Sequence, residues 1–433
     1  MVRNVVAGLA AALVLAPSAS AAPWSTPTEI PIPASEFAQR PYSPGIAFNE
    51  RGRAAVSLLT ESRVEDAATD IVAASTPAGS DDFLPGVRAR GAERLSSGLN
   101  GNFALVGNVG IAFAGVTSDE RPGVALTVLG GLQMRHIQVF LPTRRASATR
   151  AAANARGDLA LATIATRRGE TQGHPMAPYL VIKRPGRRLG TPIRLDRFGR
   201  ASVYFDIAVN ARGDVLVAWE RGGRVFARVL PRGGKLGPRK RLGAGRTPFI
   251  RAVLGPRRRA LVAWSSIGKR STAIHTAQAG LGGRFTLRRV LDRYETRRPR
   301  IECFGQTVDA GFAPGFVPIV AWTGRDADRL VVRTSIGGAV QSYASPSLHA
   351  CLGDVAFDVD GGATVAWWEG DADDLDFSLR AAGAPPGGQF GPAEPVATNA
   401  RAAVFAAADP RTRRVTAVWA DGNGRLMSAR REP

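Results

Sequence analysis

Short apolar runs separated by glycine-rich turns recur along the chain, and the clearest set spans Tyr204–Leu242. Within it the pattern predicts strands at Tyr204–Val209, Asp214–Trp219, Arg224–Leu230 and Arg239–Leu242. Strands of this length with short turns between them are typical of a four-stranded antiparallel meander. The second strand is apolar almost throughout, which indicates a strand covered on both faces.

Degenerate copies of this unit fill the chain and can be aligned on the residue that ends the second strand. The aligned positions are Leu58, Phe113, Thr163, Trp219, Trp264, Trp322, Trp367 and Trp419. One meander cannot bury both of its faces alone, so the copies must stack, and radial stacking gives a β-propeller. The sequence therefore predicts an all-β, eight-bladed propeller. Seven blades is the alternative, because the copy at Phe103–Leu141 is the least regular.

The turn after the first strand has a shared chemistry in three copies. Asn49–Gly52, Asn154–Gly157 and Asn210–Gly213 each place Asn first and Gly last. Asn can bond to its own backbone and Gly accepts a positive φ, as a type I turn followed by a bulge requires. The tripeptides Arg156–Asp158 and Arg212–Asp214 overlap these turns, so we interpret them as turn residues and not as adhesion motifs.

The two ends of the propeller are predicted to meet. Trp24–Pro33 resembles the last-strand segment Phe390–Ala397, although it stands before the first copy, while Ala402–Arg430 supplies only three strands. The N-terminal strand is therefore expected to complete the final blade, which would remove unpaired sheet edges. Residues 23–433 are predicted to form this single domain.

Residues 1–22 have the features of a secretory signal peptide. Arg3 supplies a positive charge, Val5–Ala16 is apolar, and Pro17 precedes a stretch of small residues. The apolar run is shorter than the roughly 20 residues that span a bilayer, and no later stretch is long enough. We expect a protein exported to the extracellular space or the cell surface, with no transmembrane segment once the signal is removed. The alternative is an uncleaved anchor.

The copies resemble the propeller repeats of secreted bacterial sialidase-type proteins. The resemblance is carried by Val217–Trp219, Val262–Trp264, Val320–Trp322 and Val365–Trp367, and by the turns Gly282–Phe285 and Gly387–Phe390. It implies the propeller fold. The Asp-box of that family is degenerate here, because no Ser-x-Asp precedes the glycines and Phe replaces Trp. Sialidases also need an arginine triad and a Tyr–Glu nucleophile pair, and the sequence does not allow either to be assigned, so no catalytic residue is named.

The net charge of +21 is concentrated in one sector of the chain. Lysine occurs only at 183, 235, 240 and 269, so nearly all of the basic residues are arginine, and residues 183–300 carry the surplus. The candidate contact residues are Arg232, Lys235, Arg239, Lys240, Arg241, Arg257, Arg258 and Arg259. They are expected to share one flank of the ring and to bind a polyanion such as a cell-wall polymer or an acidic glycan. The alternative is a solvated surface shaped by coding bias. Nucleic acid is disfavoured, because no aromatic residues interleave with the basic ones.

Metal and disulfide candidates are few. Asp371, Asp373, Asp374 and Asp376 form an acidic run that could hold calcium, although a solvated hairpin tip explains it better, and no cofactor is predicted. Cys303 and Cys351 fall in the first strands of adjacent copies, where a disulfide could join two blades near the axis. Two buried free thiols are the alternative.

No sequence pattern identifies a reaction. The chain has no Gly-x-Ser-x-Gly, no His-Glu-x-x-His and no phosphate-binding loop. The prediction is a monomeric, non-catalytic binding or scaffold module. The alternative is a glycan-active hydrolase or lyase whose site lies at the mouth of the central channel.

Overall fold

A computed structural model gives the fold of the chain. It describes residues 23–32, 41–60, 70–77, 80, 82–88, 95–96, 103–107, 110–117, 120–128, 135–168, 170, 175–199, 201–246, 249–280, 283–295, 308–326, 329–344, 349–370, 377–400 and 404–433.

The described strands form eight antiparallel sheets, numbered here as blades 1–8 in chain order. Blades 1–4 comprise β2 Pro41–Phe48, β3 Ala54–Thr60, β4 Asp70–Ser75 and β5 Val87–Arg88; β6 Leu95–Ser96, β7 Phe103–Val106, β8 Gly110–Thr117, β9 Pro122–Val128 and β10 Arg135–Val139; β11 Ala146–Ala153, β12 Leu159–Ala165, β13 Ala177–Lys183 and β14 Ile193–Arg194; β15 Ala201–Val209, β16 Val215–Arg221, β17 Arg224–Leu230 and β18 Lys240–Ala244.

Blades 5–8 comprise β19 Ile250–Leu254, β20 Ala260–Ile267, β21 Ser271–Ala279 and β22 Phe285–Glu295; β23 Val308–Ala313, β24 Val317–Asp326, β25 Arg329–Ile336 and β26 Ala339–Tyr343; β27 His349–Phe357, β28 Ala363–Gly370, β29 Phe377–Ala384 and β30 Glu394–Ala400; β31 Phe405–Ala408, β32 Val415–Ala420, β33 Leu426–Arg431 and β1 Thr28–Glu29. Short 3-10 turns occur at Pro256–Arg258 and Pro314–Phe316.

The blades are arranged in a ring with their first strands innermost. The first strand of each blade contacts the first strand of the next, and the contact between β31 and β2 joins blade 8 to blade 1. The prediction of an eight-bladed propeller is confirmed. Blade 2, the irregular copy, is a true blade with one addition, because both β6 and β7 pair with β8.

The predicted repeat anchors all lie in second strands, and the tryptophans among them form the centre of each blade's packing. Trp219, Trp264, Trp322, Trp367 and Trp419 are at most 1% exposed. Each is covered by side chains of its own blade and of a neighbour. Because a tryptophan packed between two blades removes a large apolar area from water, these residues contribute a major share of the hydrophobic free energy.

The N-terminal strand closes the ring as predicted. Thr28 pairs with Ser428 in an antiparallel register, and Trp24 forms an isolated bridge to Arg431. Ile30 is 1% exposed and packs in one cluster with Val418 of blade 8. Because this strand occupies the outer edge of blade 8, that blade has four strands like the others.

No helix within the described ranges is long and apolar enough to cross a membrane. The predicted signal peptide at 1–22 lies outside the described residues, so export and cleavage stay predictions.

Candidate anion-binding site

The predicted basic residues do not share one flank of the ring. Arg239 and Arg241 line a cavity near the turn between the second and third strands of blade 4. Arg232, Arg257 and Arg258 line another cavity, beside the turns at the opposite end of the strands. The expectation of a single flank was wrong because successive turns of an antiparallel sheet alternate between its two ends. Lys235 and Lys240 are exposed and line neither cavity, and Arg259 lies over the ring of Phe316 at 4.2 Å.

The first cavity, called here the rim pocket, has a volume of about 410 Å³. Five arginines and one aromatic residue surround it. Its lining is Arg197, Arg221, Gly222, Arg224, Phe226, Arg239 and Arg241. Arg197 belongs to the segment that connects blade 3 to blade 4, and all the others belong to blade 4. The pocket therefore lies where the outer parts of these two blades meet.

A tight turn positions two of the arginines. Gly222 and Gly223 have φ values of 58° and 73°, which favour glycine, and they join the second and third strands of blade 4. Glu220 accepts a hydrogen bond from the backbone N–H of Gly223 at 2.5 Å. The turn is thereby held in place, and Arg221 and Arg224 flank it on either side.

Besides Glu220, which holds the turn, Asp196 is the acidic side chain that contacts the lining arginines in the described ranges. Its carboxylate lies 3.0 Å from Arg221 Nη1 and 2.5 Å from Arg239 Nη1, and its side chain is 5% exposed. Burial acts to raise the pKa of Asp196, but the hydrogen bonds from the Arg197 backbone and from Arg221 and the nearby arginine charges lower it overall. Asp196 is therefore ionised and already engaged.

Three of the lining arginines have no acidic partner in the part of the chain that the structure describes: Arg197, Arg224 and Arg241 are all exposed at the pocket. Arg228 lies nearby in the third strand, and its buried Nε atom has no hydrogen-bond partner there either. A buried donor without an acceptor costs free energy, so an anion that entered the pocket would find donors that the protein itself leaves unused.

Phe226 gives the pocket an aromatic wall. The guanidinium of Arg239 lies over its ring at 4.7 Å, and the ring stacks on Trp219 at 6.1 Å between centroids. Phe226 also pairs directly with Arg241 on the fourth strand. The packing orients the Arg239 side chain, because a guanidinium held against an aromatic face loses much of its freedom.

A second group of charged residues lies on the first strands, around the central channel. Arg150, Asp206, Arg251, Asp309 and Asp354 occupy equivalent positions in blades 3–7, each opposite the alanine that precedes the blade's anchor. Arg150 Nη1 lies 3.4 Å from Asp206, and Arg251 lies 2.5 Å from Asp309 and 4.0 Å from Asp354. Sequence reasoning missed this chain of ion pairs, because its members are one blade apart.

The three carboxylates of this group also hold the backbone of the following blade. Asp206, Asp309 and Asp354 accept hydrogen bonds from the N–H groups of Ala252, Val355 and Ala406, at 2.8, 3.1 and 3.2 Å. These repeated bonds give the channel carboxylates a structural function.

The electrostatics of the channel are dominated by burial. Burial and the neighbouring charge of Asp309 raise the pKa of Asp354 well above its usual range. Burial lowers the pKa of Arg150, and Asp206 compensates only in part. For Arg251 burial also acts to lower the pKa, but the charges of Asp309, Asp206 and Asp354 raise it overall. A carboxyl group whose pKa is raised in this way has the chemistry of a general acid.

One further pair was not predicted. Ser266 Oγ lies 2.7 Å from His275 Nε2, and the His275 ring stacks on Trp264. Burial and Arg293 lower the pKa of His275. No carboxylate orients this histidine within the described ranges, so the pair lacks the third member of a nucleophilic triad.

The remaining predicted residues are placed as follows. Asp371, Asp373, Asp374, Asp376 and Cys303 lie outside the described residues, so the calcium candidate and the Cys303–Cys351 disulfide stay predictions. Cys351 is fully buried in β27 and is not a free thiol. No group of three metal-ligating side chains occurs in the described part of the chain.

The Arg-Gly-Asp tripeptides form turns, as interpreted from the sequence. Asp158 and Asp214 are 1% and 7% exposed. Their carboxylates accept hydrogen bonds from Asn154 and Asn210 of the same turns. An adhesion receptor could not reach them.

No family model matches the chain, and no curated protein matches it in sequence. Similar solved structures include an ulvan lyase of polysaccharide lyase family 25 (12% identity, 90% of this chain and 95% of that chain, TM-score 0.48). Others are the β-propeller domain of the trilobed protease from Pyrococcus furiosus (11%, 87% and 98%, 0.41) and an α-L-arabinanase from Penicillium chrysogenum (9%, 94% and 98%, 0.42). At these identities and TM-scores the similarities carry no conclusion about function, and the resemblance to sialidase-type repeats is not confirmed.

Proposed function

We propose that this protein binds acidic glycans and that their sulfate or carboxylate groups enter the rim pocket. One observation carries the proposal: five arginines surround a single cavity, and the acidic side chains beside it in the described ranges, Asp196 and Glu220, are already engaged. Planar guanidinium groups bind sulfate and carboxylate through two parallel hydrogen bonds, so Arg197, Arg224 and Arg241 can each hold an anionic group.

The dimensions of the pocket suit a small part of a polymer. Its volume of about 410 Å³ lies within the range of roughly 300–1,000 Å³ that is common for small-ligand sites. Two of the similar solved structures are named for polysaccharide chemistry. Their identity to this chain is too low to carry a ligand over, so the choice of a glycan rests on the arginines and on the predicted export.

The test is binding of a heparin fragment by calorimetry, with a dextran fragment as the neutral comparison. The triple variant R197S/R224S/R241S removes the arginines that have no acidic partner and leaves the Asp196 pairs intact. We expect wild-type binding to weaken as the salt concentration rises. In the variant, the affinity of the rim pocket for the heparin fragment should fall at least about tenfold, since each charged hydrogen bond contributes about 1.5–3 kcal/mol.

The matched control is R187S/R188S/R289S, which removes three exposed arginines that line neither cavity. It changes the net charge by the same amount. If both triple variants weaken binding equally, the effect is one of overall charge and the proposed pocket is wrong. If dextran binds as well as heparin, the acidic class of ligand is wrong.

A glycan-active enzyme is the second candidate, and the channel carboxylates favour it. Burial and Asp309 raise the pKa of Asp354, and Asp309 is paired with Arg251, so the two carboxyl groups have different environments, as those of a glycosidic acid–base pair do. It ranks second because Asp309 is 0% exposed and both carboxylates bind the backbone of the next blade.

Incubation with acidic polysaccharides distinguishes the two candidates. A lyase would generate unsaturated uronate ends that absorb in the ultraviolet, and a hydrolase would generate reducing ends without that absorbance. Loss of either product in Asp354→Asn would support the channel site. Wild-type protein that binds the polymer and releases neither product would exclude it.

A further inference from the structure

The second cavity, at the opposite end of the blade strands, is also lined by arginines. It has a volume of about 740 Å³. Its lining is Arg156, Arg212, Asp214, Pro231, Arg232, Arg257 and Arg258. We call Arg156, Arg212 and Arg257 the turn arginines, because each lies in the turn between the first and second strands of its blade. They belong to the consecutive blades 3, 4 and 5 and share no residue with the rim pocket.

The three turns are connected by equivalent hydrogen bonds. Asn154 Nδ2 donates to the carbonyl of Asn210 at 2.8 Å, and Asn210 Nδ2 donates to the carbonyl of Gly255 at 3.1 Å. Each turn arginine lies two residues after Asn154, Asn210 or Gly255. The asparagines that the sequence pattern singled out therefore hold each turn against the next.

The turns are also packed closely. Gly213 has a φ of 83°, and a Cβ atom there would lie 2.4 Å from Asp158 Oδ2 of the preceding blade. The blade-4 turn can approach the blade-3 turn only because this residue is glycine. The backbone that carries the turn arginines is therefore rigid, and a rigid surface binds a ligand at a smaller cost in entropy.

The nearby acidic groups are used by the scaffold. Asp158 accepts from Asn154 and Arg184 and is 1% exposed, and Asp214 accepts from Asn210 and the Arg232 backbone. Among the described residues no acidic side chain pairs with Arg156, Arg212, Arg257 or Arg258. The turn arginines are all exposed. The cavity thus presents positive charge that the protein does not neutralise.

In blade 5, Arg258 stands where the turns of blades 3 and 4 have glycine. Arg258 has a φ of 61°, in the left-handed region that Gly157 and Gly213 adopt in blades 3 and 4, and its neighbour Arg257 has a φ of 51°. A side chain in this conformation costs free energy that glycine would avoid. Both strained residues line the cavity.

We infer that the turn arginines form a second binding site, for a linear acidic polysaccharide whose sulfate or carboxylate groups bind successive blades. The site suits a polymer because its charges repeat from blade to blade, whereas the rim pocket is confined to one blade boundary. This inference shares its ligand class with the proposed function but rests on different residues, and either can fail alone.

The experiment counts the heparin octasaccharides bound per protein molecule by calorimetry. The proteins are the wild type, the turn variant R156S/R212S/R257S, the rim variant R197S/R224S/R241S and the control R187S/R188S/R289S. We expect two fragments on the wild type and the control and one on each of the other variants. Replacing the turn arginines by lysine keeps the charge and removes the planar fork, and it should weaken this site by several-fold without abolishing it.

Unfolding midpoints equal to that of the wild type show that the exposed substitutions leave the fold intact. The inference is overturned if the turn variant still binds as many fragments as the wild type with the same affinity. A wild type that binds one fragment, lost only in the rim variant, also overturns it and leaves the proposed function standing. If the wild type binds one fragment and only the turn variant loses it, the inference is supported and the proposed function is wrong.

Discussion

Arg251 Nε lies 2.5 Å from Asp309 Oδ1, across the boundary between blades 5 and 6. The other oxygen of Asp309 accepts the backbone N–H of Val355 in blade 7. A single buried carboxylate therefore joins three successive blades.

Replacing Asp309 by alanine should destabilise the protein by about 3–5 kcal/mol, because it leaves the Arg251 charge without its nearest partner and the Val355 N–H without its acceptor. Urea unfolding would measure the change. The control is Asp360→Ala, which breaks an ion pair with Arg413 in which both side chains are about half exposed, and its effect should be at most about 1 kcal/mol. Equal effects of the two substitutions would contradict the structural function of the channel.

The raised pKa of Asp354 predicts a specific pH dependence. The folded protein binds this proton more tightly than the unfolded chain does, so its contribution to stability is present at low pH and is lost as pH rises from about 4 toward the raised value. Asp354→Asn stays neutral and can still accept from Ala406, while it faces Asp309 and Arg251 as before.

The free energy of unfolding of Asp354→Asn, relative to wild type, should therefore increase with pH across this range. Chemical unfolding at a series of pH values would show it. A difference that is constant with pH would mean that Asp354 titrates normally in the folded protein.

Two equivalent tryptophans should respond differently to the same substitution. Trp367 Nε1 donates to the buried Glu369 at 3.0 Å, whereas Trp264 Nε1 is buried with no hydrogen-bond partner among the described residues. Trp367→Phe should therefore cost about 1–2 kcal/mol more than Trp264→Phe, since only the first leaves a buried acceptor unsatisfied. Thermal or urea unfolding of both variants would show which one loses more stability. A larger loss in Trp264→Phe would contradict a stabilising hydrogen bond from Trp367 to Glu369.

Closure of the ring can be tested at Ile30. This side chain is 1% exposed in a cluster that includes Val418 and Leu426 of blade 8. Ile30→Ala should cost about 2–5 kcal/mol, as is usual for a buried isoleucine. Val290→Ala, at a position 52% exposed, should cost little. Similar values for both would show that the N-terminal strand contributes nothing to the stability of blade 8.

The fold could be predicted from the sequence because its signal repeats. The tryptophan anchors and the Asn–Gly turns mark the same positions in several copies, and the third strand of blade 4 was predicted with its observed bounds, Arg224–Leu230. The first strand of that blade begins earlier than predicted, at Ala201. Its polar-flanked start has no periodicity that would distinguish it from a loop.

The sites were less predictable because their residues come from different copies. Arg251 and Asp309 meet across a blade boundary. Both stand at the same distance in sequence before their anchor tryptophans, so a comparison of that position in all copies would have found them. The division of the basic residues between two cavities follows from strand direction. Asp196 carries no sequence signal, because it lies in an irregular connection.

The pairing of Thr28 with Ser428 has a consequence for the kinetics of folding. The two residues are 400 positions apart in the chain, and the hydrogen bond from Thr28 Oγ1 spans that whole separation. Blades 1–7 can each assemble from residues that are near in sequence, but blade 8 is completed only when residues about 400 positions apart meet. Because contacts of long sequence separation form slowly, we expect the last kinetic phase of refolding to be the arrival of this strand.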